Sequence, residues 1–216
     1  MDHDNRDLAS LRAEYQLAGL DEADLASEPF TMFRAWFDAV RTAGVLEPNA
    51  MVLATTSTDG LPSARTVLLK GLTEDGFVFY TNYAARKSVE LSANPHCALA
   101  FGWYELQRQV RIEGAASRVS RAETEAYFAT RPRDSQIGAW ASAQSSVVTS
   151  RAELEAAYAE AEERFAGREV PAPPHWGGYL VSPERVEFWQ GRRGRMHDRL
   201  AYVRDGRGWR TERLAP

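Results

Sequence analysis

The chain has 216 residues, 44% of them hydrophobic and 26% charged, which is typical of a globular protein long enough to bury a core. Its 26 basic and 30 acidic residues give a formal net charge of −4, so no strongly positive overall field favours nucleic acid. The single cysteine, Cys97, excludes an internal disulfide and a cysteine metal cage. With a polar N-terminus and no apolar run of ~20 residues, we expect a cytoplasmic protein without membrane contact.

Two helices are predicted before the β-rich part of the chain. Residues 6–18 carry leucines and a tyrosine at helical spacing, so we expect residues 1–20 to form a helical N-terminal segment. A second helix is predicted to begin at Pro29 and to end at Gly44, with Phe33, Trp36, Phe37 and Val40 on one face. Both patterns are typical of packing helices.

From Ala50 onward the pattern changes to short strands. A hairpin is predicted around the Thr-Glu-Asp-Gly turn, with Ala64–Leu69 and Phe77–Thr81 as its arms. The other elements predicted in this half are strands at Ala50–Ser57, His96–Trp103 and Gln107–Gly114, and a short helix at Ala84–Ala93. In Gln107–Gly114, apolar residues alternate with polar ones, so one face of that strand is polar.

The second half begins with two helices that have N-cap signatures. Ser120 and Glu123 form one predicted capping box, for a helix that ends near Arg131, and Ser150 and Glu153 form the other. The second helix is expected to turn Leu154, Tyr158, Ala161 and Phe165 inward. Strands are then predicted at Gly178–Ser182, Arg185–Gln190, Leu200–Arg204 and Trp209–Arg213, the last two forming a hairpin. Eight or nine short strands without βαβ alternation predict one domain, residues 1–216, built as an antiparallel barrel with peripheral helices.

Four cations flank the predicted hairpin, namely Arg65, Lys70, Arg86 and Lys87, without an acid nearby for each. Such a cluster is typical either of a solvated basic rim or of a phosphate site, since Arg offers a planar fork of donors and Lys a point charge. Arg65 and Lys70 are five residues apart and would point to opposite faces of a regular strand. They can serve one site only if Lys70 lies at the strand's end or past a bulge, or if they contact different ligands.

A second candidate anion site follows the Ser120 helix. Tyr127 and Arg131 are four residues apart and therefore neighbours on one helical face, and Arg133, Asp134 and Ser135 come directly after them. The alternative interpretation is plain polar surface. Neither G-x-G-x-x-G nor G-x-x-x-x-G-K-[ST] is present, and the four histidines lack the spacing of metal ligands, so we predict no metal. An anion bound by side chains, without a backbone cradle, suits a phosphorylated planar ligand.

Several motifs together closely resemble the pyridoxine/pyridoxamine 5′-phosphate oxidase family. They are, in chain order, L-R-x-E-Y, A-R-T-V-L-L-K, F-Y-T-N with A-R-K shortly after, R-Q-V-R, R-P-R-D-S-Q-I-G-A-W, Q-S-S, W-Q-G-x-x-x-R-x-H-D-R and R-L-A-P. The resemblance runs from about Leu11 to Pro216 with the segments in family order. The loop Gly191–Gly194, with two central arginines, is more basic than the family pattern leads us to expect.

The resemblance implies an FMN-binding split β-barrel that works as a homodimer with two flavin sites at the subunit interface. The positions that match the family's FMN contacts are Arg65, Thr66, Val67, Leu68, Leu69, Lys70, Tyr80, Thr81, Arg86, Lys87, Gln109, Gln144, Ser145, Trp189 and Arg199. The positions that match its substrate contacts are Lys70, Tyr127, Arg131 and Ser135 for the phosphate, Arg195 and His197 as ring-holding catalytic residues, and Arg12 and Tyr15 in an N-terminal segment that closes over the site.

The implied reaction is a two-electron oxidation at C4′ of pyridoxamine or pyridoxine 5′-phosphate, with O2 as the final acceptor and H2O2 and pyridoxal 5′-phosphate as products. Two alternatives remain open at this stage. A related split-barrel flavin oxidase of the phenazine type would keep FMN and change the substrate, leaving Tyr127, Arg131 and Ser135 without a phosphate to hold. A non-enzymatic flavin- or haem-binding module would have no use for Arg195 and His197.

Overall fold

The structure is a computed structural model that describes residues 19–216 and contains five helices and nine strands in that part of the chain. The helices are α1 (Pro29–Thr42), α2 (Arg86–Ala93), α3 (Arg121–Ala129), α4 (Arg133–Ala141) and α5 (Arg151–Arg164). The strands are β1 (Ala50–Thr56), β2 (Pro62–Leu68), β3 (Gly71–Leu72), β4 (Phe77–Asn82), β5 (His96–Trp103), β6 (Arg108–Arg118), β7 (Trp176–Gln190), β8 (Asp198–Asp205) and β9 (Gly208–Arg213). The helix predicted at residues 6–18 lies outside the described residues.

The strands form one sheet in the order β2-β1-β5-β6-β7-β4-β3, with β8 paired to β7 and β9 to β8. The pairings β1–β2, β3–β4, β4–β7, β7–β8 and β8–β9 are antiparallel. This architecture confirms the predicted mainly β fold with helices around a sheet. None of the helices among residues 19–216 is long and apolar enough to cross a membrane.

The described residues divide into two compact units. The first, called here the terminal unit, consists of residues 19–48, Ala100–Arg111 and Arg185–Pro216. The second, called the pocket unit, consists of Asn49–Leu99 and Ile112–Glu184. The single domain predicted for residues 1–216 stays a prediction.

In the terminal unit, α1 provides the apolar face that its spacing predicts. Pro29 stands at the first turn, where a missing N–H costs nothing, and Gly44 follows the helix with a φ of 74°. The ring centroid of Phe33 lies 5.0 Å from that of Phe101, and the centroid of Trp36 lies 5.1 Å from that of Phe188. These edge-on aromatic contacts form the core of the unit because each ring removes a large apolar area from water.

The predicted C-terminal hairpin is confirmed. Asp205 pairs with Gly208, so Gly206 and Arg207 form a two-residue loop between β8 and β9. Gly206 has a φ of 56°, which the tight hairpin turns require and which glycine adopts without steric cost. The hairpin brings Arg213 of β9 opposite Leu200 of β8.

The central hairpin of the pocket unit differs from the prediction. Strand β2 pairs with β1, with Ala50 opposite Leu68, whereas the Thr73–Gly76 turn joins the two-residue strand β3 to β4. The arms assigned to one hairpin therefore belong to two successive hairpins. The prediction was wrong because the break after Leu68 is marked only by Lys70-Gly71, and the apolar pattern continues across it.

Three other elements differ from the prediction. Strand β7 is one strand of 15 residues, which changes partner from β4 to β8 near Pro183, whereas two strands were predicted. Helix α4 was missed because its apolar stripe is short. The Ser120 capping box is confirmed, but at Ser150 only half of it forms, because the Glu153 carboxylate accepts from Thr149. Leu154 was expected to face inward and is 39% exposed.

Helices α3, α4 and α5 pack together in the pocket unit around a shared apolar cluster. Its buried members are Phe128, Ile137, Ala161, Phe165, Val170, Ala172 and Trp176. Tyr80 and Tyr127 pack against this cluster from outside. The cluster therefore fixes the end of α3 and the start of α4 beside β4 and β7.

Candidate active site

The pocket unit contains a cavity of about 1130 Å³. Its walls come from β2, the middle of β4, the first turn of α2, the end of α3, α4 and the segment that follows α4. The lining residues are Ser63–Leu68, Lys70, Tyr80–Asn82, Arg86, Lys87, Tyr127, Thr130–Pro132, Ser135, Gly138, Ala139, Ser142, Gln144, Ser145 and Trp176. Five of these carry positive charge and none is an Asp or Glu, so the cavity is strongly biased toward anions.

Most of the predicted site residues come together on this cavity. From the FMN set these are Arg65, Thr66, Val67, Leu68, Lys70, Tyr80, Thr81, Arg86, Lys87, Gln144 and Ser145, and from the substrate set Lys70, Tyr127, Arg131 and Ser135. Leu69 is buried next to it and does not line it. Gln109, Trp189, Arg195, His197 and Arg199 belong to the terminal unit, and Arg12 and Tyr15 lie outside the described residues.

Lys87 is the most deeply buried cation of the cavity, with 8% of its surface exposed. Its Nζ donates to Thr81 Oγ1 at 3.1 Å and to Gln144 Oε1 at 2.8 Å, and no carboxylate of the described chain pairs with it. Burial, and then the charge of Arg65, lower the pKa of Lys87 below its usual value. An anion in the cavity would reverse this destabilisation of the charged form, because opposite charges favour ionisation.

The position of Lys70 resolves the question of strand parity. Strand β2 ends at Leu68, and Lys70 lies in the connection to β3, where its backbone N–H donates to the Val78 carbonyl at 2.8 Å. Because Lys70 is past the strand's end, the alternation of β2 does not direct its side chain. Arg65 and Lys70 therefore line the same cavity although they are five residues apart.

The sequence predicts that the cluster lacks an acid nearby for each of its cations, and in the structure two of them, Arg65 and Arg86, share one carboxylate. Both guanidinium groups contact the buried carboxylate of Glu90, Arg65 at 3.3 Å and Arg86 at 2.8 Å. Arg65 also donates to the Leu53 carbonyl, and to the hydroxyls of Thr55 and Ser63. Sequence spacing indicates one of these two ion pairs, because Arg86 and Glu90 are four residues apart on one helix.

Arg131 lies over the aromatic wall of the cavity. Its guanidinium carbon is 4.5 Å from the ring centroid of Trp176, which is a cation–π geometry. The ring of Trp176 stacks on Tyr80 at 5.4 Å, and Tyr80 stacks on Tyr127 at 3.9 Å. One terminal nitrogen of Arg131, Nη1, is buried and has no hydrogen-bond partner among the described residues. A buried donor left without a partner costs about 1–3 kcal/mol, so this nitrogen is suited to a ligand oxygen.

Fewer of the residues around Arg131 line the cavity than the sequence predicts for an anion clamp. Arg133 donates to the backbone carbonyls of Phe165 at 2.7 Å and Arg168 at 2.9 Å, so it caps the end of α5 and does not line the cavity. Ser135 lies on the first turn of α4 and does line it. Of the predicted phosphate contacts, Lys70, Tyr127, Arg131 and Ser135 all line the cavity.

In the terminal unit, Arg195 is the last residue of a short 3-10 turn at Arg193–Arg195, and His197 follows two residues later. Arg195 has a φ of 62°, so the backbone at this residue is left-handed and not extended. His197 packs on Trp189, with ring centroids 4.6 Å apart, and its Nδ1 accepts from the Arg192 N–H at 3.1 Å. Burial, and then the charge of Arg195, lower the pKa of His197 despite the opposing effect of Asp198. The neutral ring therefore carries its proton on Nε2.

Arg199, predicted as an FMN contact, uses its guanidinium within the terminal unit. Its Nε and Nη2 donate to the two oxygens of the buried Glu187 carboxylate at 2.9 and 3.0 Å, and its Nη1 donates to the Ala215 carbonyl at 2.9 Å. Arg199 thereby holds the C-terminal residues to β8. Its role toward a flavin, like those of Gln109 and Trp189, stays a prediction.

Sequence reasoning missed several lining residues, among them Trp176, which forms part of the aromatic wall, and Ser63. It also missed Glu90, which accepts a hydrogen bond from Ser63 and does not itself line the cavity. A tryptophan at the start of a strand is most often core, so no local signal distinguished Trp176.

The fold and the cavity together define a mainly β protein with a pocket lined by five cations and by stacked aromatic rings. A family model described as pyridoxamine 5′-phosphate oxidase matches residues 37–165, more than half of the chain. A second model, described as the pyridoxine 5′-phosphate oxidase C-terminal dimerisation region, matches residues 176–216.

Curated relatives agree with both models. A pyridoxine/pyridoxamine 5′-phosphate oxidase of Rubrobacter xylanophilus is 63% identical over 98% of this chain and 97% of its own length. One of Nocardioides sp. is 60% identical over 97% of this chain and 98% of its own length. The chain therefore belongs to the pyridoxamine 5′-phosphate oxidase family and is an oxidoreductase. The split-barrel fold that the sequence predicts is confirmed.

Solved structures extend the comparison. PhzG from Burkholderia lata, in complex with tetrahydrophenazine-1-carboxylic acid, superposes with a TM-score of 0.88 at 31% identity, over 94% of this chain and 100% of that one. A pyridoxamine 5′-phosphate oxidase-related FMN-binding protein from Nostoc punctiforme superposes with a TM-score of 0.69 at 17% identity, over 89% and 100% of the two chains. The second likeness concerns the fold alone.

Proposed function

We propose that the protein is an FMN-dependent oxidase that converts pyridoxamine 5′-phosphate and pyridoxine 5′-phosphate to pyridoxal 5′-phosphate. The observation that carries the proposal is one cavity with five cations, no lining carboxylate and a buried Arg131 nitrogen without a partner. Its volume, about 1130 Å³, exceeds the ~300–1,000 Å³ usual for one small ligand and suits a flavin with a second ring.

The cations fall into two groups that suit two phosphates. Arg65, Arg86 and Lys87 come from β2 and the first turn of α2, and we assign them to the FMN phosphate. We assign Lys70, from the connection between β2 and β3, and Tyr127, Arg131 and Ser135, from the end of α3 to the start of α4, to the substrate phosphate. Charge-assisted hydrogen bonds to phosphate are the strong ones, and the planar fork of arginine adds orientation.

Bound FMN would supply a two-electron acceptor for the hydride leaving substrate C4′, and O2 would reoxidise it with release of H2O2. The residues of this chain supply binding and orientation, since no strong general base is evident in the cavity. In our assignment Arg195 and His197 hold the substrate ring. His197, neutral at pH 7 because its pKa is lowered, would donate from Nε2 to a polar group of the ring.

The left-handed backbone at Arg195 supports its assignment. A non-glycine residue with a φ of 62° costs roughly 1 kcal/mol or more, and such residues concentrate at functional sites. The side chain is exposed and follows a basic loop, so it is available to a ligand. We also propose a homodimer with flavin sites at the subunit interface, which the C-terminal family match supports.

The runner-up is an oxidase of a phenazine-type substrate, because PhzG shares 31% identity and nearly the whole fold. A substrate carboxylate would also accept hydrogen bonds from Arg131 and Lys70. The two curated relatives are about twice as similar in sequence, which favours the phosphorylated substrates.

The test is turnover of the FMN-loaded protein with pyridoxamine 5′-phosphate, following pyridoxal 5′-phosphate and peroxide together. We expect equal amounts of both products and one FMN per chain. Pyridoxamine without its phosphate is the matched control and should react at least 100-fold less efficiently, because a bidentate phosphate contact contributes about 3 kcal/mol. Purified protein that takes up no FMN, or that oxidises both amines alike, would contradict the proposal.

A further inference from the structure

Glu90, on the second turn of α2, forms the centre of a buried network behind the cavity wall. Its side chain is 6% exposed and does not line the cavity. Its Oε2 accepts from Thr55 Oγ1 at 2.5 Å and from Ser63 Oγ at 2.6 Å. The same oxygen contacts Arg65 Nη2 at 3.3 Å, and the other oxygen, Oε1, accepts from Arg86 Nε at 2.8 Å.

This network ties two cavity arginines from different elements to one carboxylate. Arg65 comes from β2, and its two terminal nitrogens are occupied by Leu53, Thr55, Ser63 and Glu90. Its Nε has no partner in the described part of the chain. Arg86 comes from α2 and uses only its Nε, on Glu90, which leaves both terminal nitrogens without a partner among residues 19–216. The guanidinium groups are therefore held in place while several of their N–H donors remain available.

The negative charge of Glu90 also offsets part of the positive charge of the cavity wall. Burial opposes its ionisation, but hydrogen bonds from Ser63, Thr55, Arg86 and Arg65 outweigh that effect and lower the pKa of Glu90 to about 2. It is therefore ionised at neutral pH. Arg65 disfavours the charged form of Lys87, so the cations of this wall repel one another. A carboxylate between Arg65 and Arg86 reduces that repulsion in the unliganded protein.

We propose that Glu90 is a positioning residue of the anion site: it aligns Arg65 and Arg86 for the phosphate of the bound cofactor without contacting that phosphate itself. This inference rests on the proposed function, since it takes the ligand of this wall to be a phosphate monoester. It makes a specific claim about selectivity. Glu90 should matter for FMN, which carries the phosphate, and not for riboflavin, which has the same ring without it.

The experiment compares the dissociation constants of FMN and riboflavin for flavin-free protein, by quenching of flavin fluorescence, in the wild type and in Glu90→Gln. The variant keeps the size of the side chain and removes its charge. We expect FMN binding to weaken about 10-fold and riboflavin binding to change less than about 2-fold, because the lost contacts act only through the phosphate. Glu125→Gln is the matched control, since it removes the same charge from the exposed pair with Arg121 and should alter neither constant.

A merely structural role would weaken both flavins equally, and that result would overturn the proposal. So would tighter FMN binding, which would mean that Glu90 acts only by opposing the anion's charge. If Glu90→Gln does not fold, Glu90→Asp retains the charge and shortens the reach by one methylene. It should lower the FMN-to-riboflavin preference by roughly 3–10-fold, and an unchanged preference would refute the inference. Wild-type protein that binds no FMN would instead refute the proposed function.

Discussion

Two arginine-rich regions of the molecule use their charges in opposite ways. The cavity of the pocket unit has five cations, with Glu90 as the one carboxylate that contacts any of them in the described chain. In the terminal unit, an ion-pair cluster formed by Asp21, Glu22, Arg192, Asp198 and Arg213 has three carboxylates for two arginines. The first region has an excess of positive charge, and the second is neutralised by its own residues.

The difference distinguishes cations that are suited to bind a ligand from cations that stabilise the fold. Arg213 reaches Glu22 at 2.7 Å, Asp198 at 2.9 Å and the Leu20 carbonyl at 3.4 Å, and so joins β9 to the residues at the start of the described chain. Among residues 19–216 no carboxylate contacts Lys87 or Arg131, although burial makes their charges costly. A folded protein retains such cations where a ligand supplies the opposite charge. Each prediction below tests one side of this comparison.

The largest effect is expected at the substrate phosphate. Arg131→Met keeps the length and the packing on Trp176 but removes every donor. We expect kcat/KM for pyridoxamine 5′-phosphate to fall roughly 100–1,000-fold, because a bidentate charge-assisted contact contributes about 3–4 kcal/mol. Steady-state kinetics with FMN at saturation measure this loss. FMN affinity should stay within about 3-fold of the wild type, and a selective loss of FMN would assign Arg131 to the cofactor.

A smaller loss is expected at Arg195. Arg195→Lys retains the charge but not the planar fork, so we expect kcat/KM to fall about 10–100-fold with little change in FMN affinity. His197→Asn should likewise leave FMN binding intact. If either variant lost FMN while its reconstituted form turned over normally, these two residues would be cofactor ligands.

The pH dependence of kcat/KM tests the role assigned to His197. Its pKa is lowered, by burial first and then by Arg195, so the neutral ring should dominate at neutral pH and protonation should occur below the usual ~6.5. Protonation adds a hydrogen to Nδ1, which then cannot accept from the Arg192 N–H. We therefore expect kcat/KM to decline on the acid side with an apparent pKa below 6.5, and the decline to disappear in His197→Asn. An acid limb that persists in that variant would exclude His197 as its source.

The smallest effect is expected in the ion-pair cluster. Arg213→Met should lower Tm by about 2–4 °C and leave FMN affinity unchanged. Hydrogen bonding to Arg213 lowers the pKa of Glu22 to about 2. That pair therefore stabilises the fold above the unfolded pKa of ~4.3 and loses its effect as the pH falls toward 2. Thermal unfolding of the two proteins should thus converge at low pH, and a constant difference would contradict this assignment.

Much of the fold followed from local signals in the sequence. The Ser120 capping box, the apolar face of α1 and the Asp-Gly-Arg-Gly turn each encode their element locally, and each is confirmed. Strand partners depend on distant residues, and the Phe77–Thr81 strand pairs with β3 and β7 instead of with the arm that the local pattern indicated. Register and partner are set by tertiary packing, which a single sequence does not display.

The candidate site shows the same limit. The motifs identified fourteen residues that line the cavity. They gave no sign that Arg133 caps α5 or that Arg199 pairs with Glu187. Whether a cation has an acid partner is a property of the folded chain. Glu90 illustrates this, since its contacts with Thr55 and Ser63 cross from a helix to two strands.

The central claim is that the cations of the cavity, which share a single carboxylate in the described chain, bind a phosphate, whereas the paired cations of the terminal unit maintain the fold. The most direct measurement is the ratio of FMN to riboflavin affinity in Lys87→Met and in Arg213→Met, with Tm recorded for both. We predict that Lys87→Met reduces the ratio about 10–150-fold, for the 1.5–3 kcal/mol of one charge-assisted contact, without lowering Tm. Arg213→Met should lower Tm and leave the ratio unchanged. An unaltered ratio in Lys87→Met, or an equal loss of the ratio in both variants, would contradict the account.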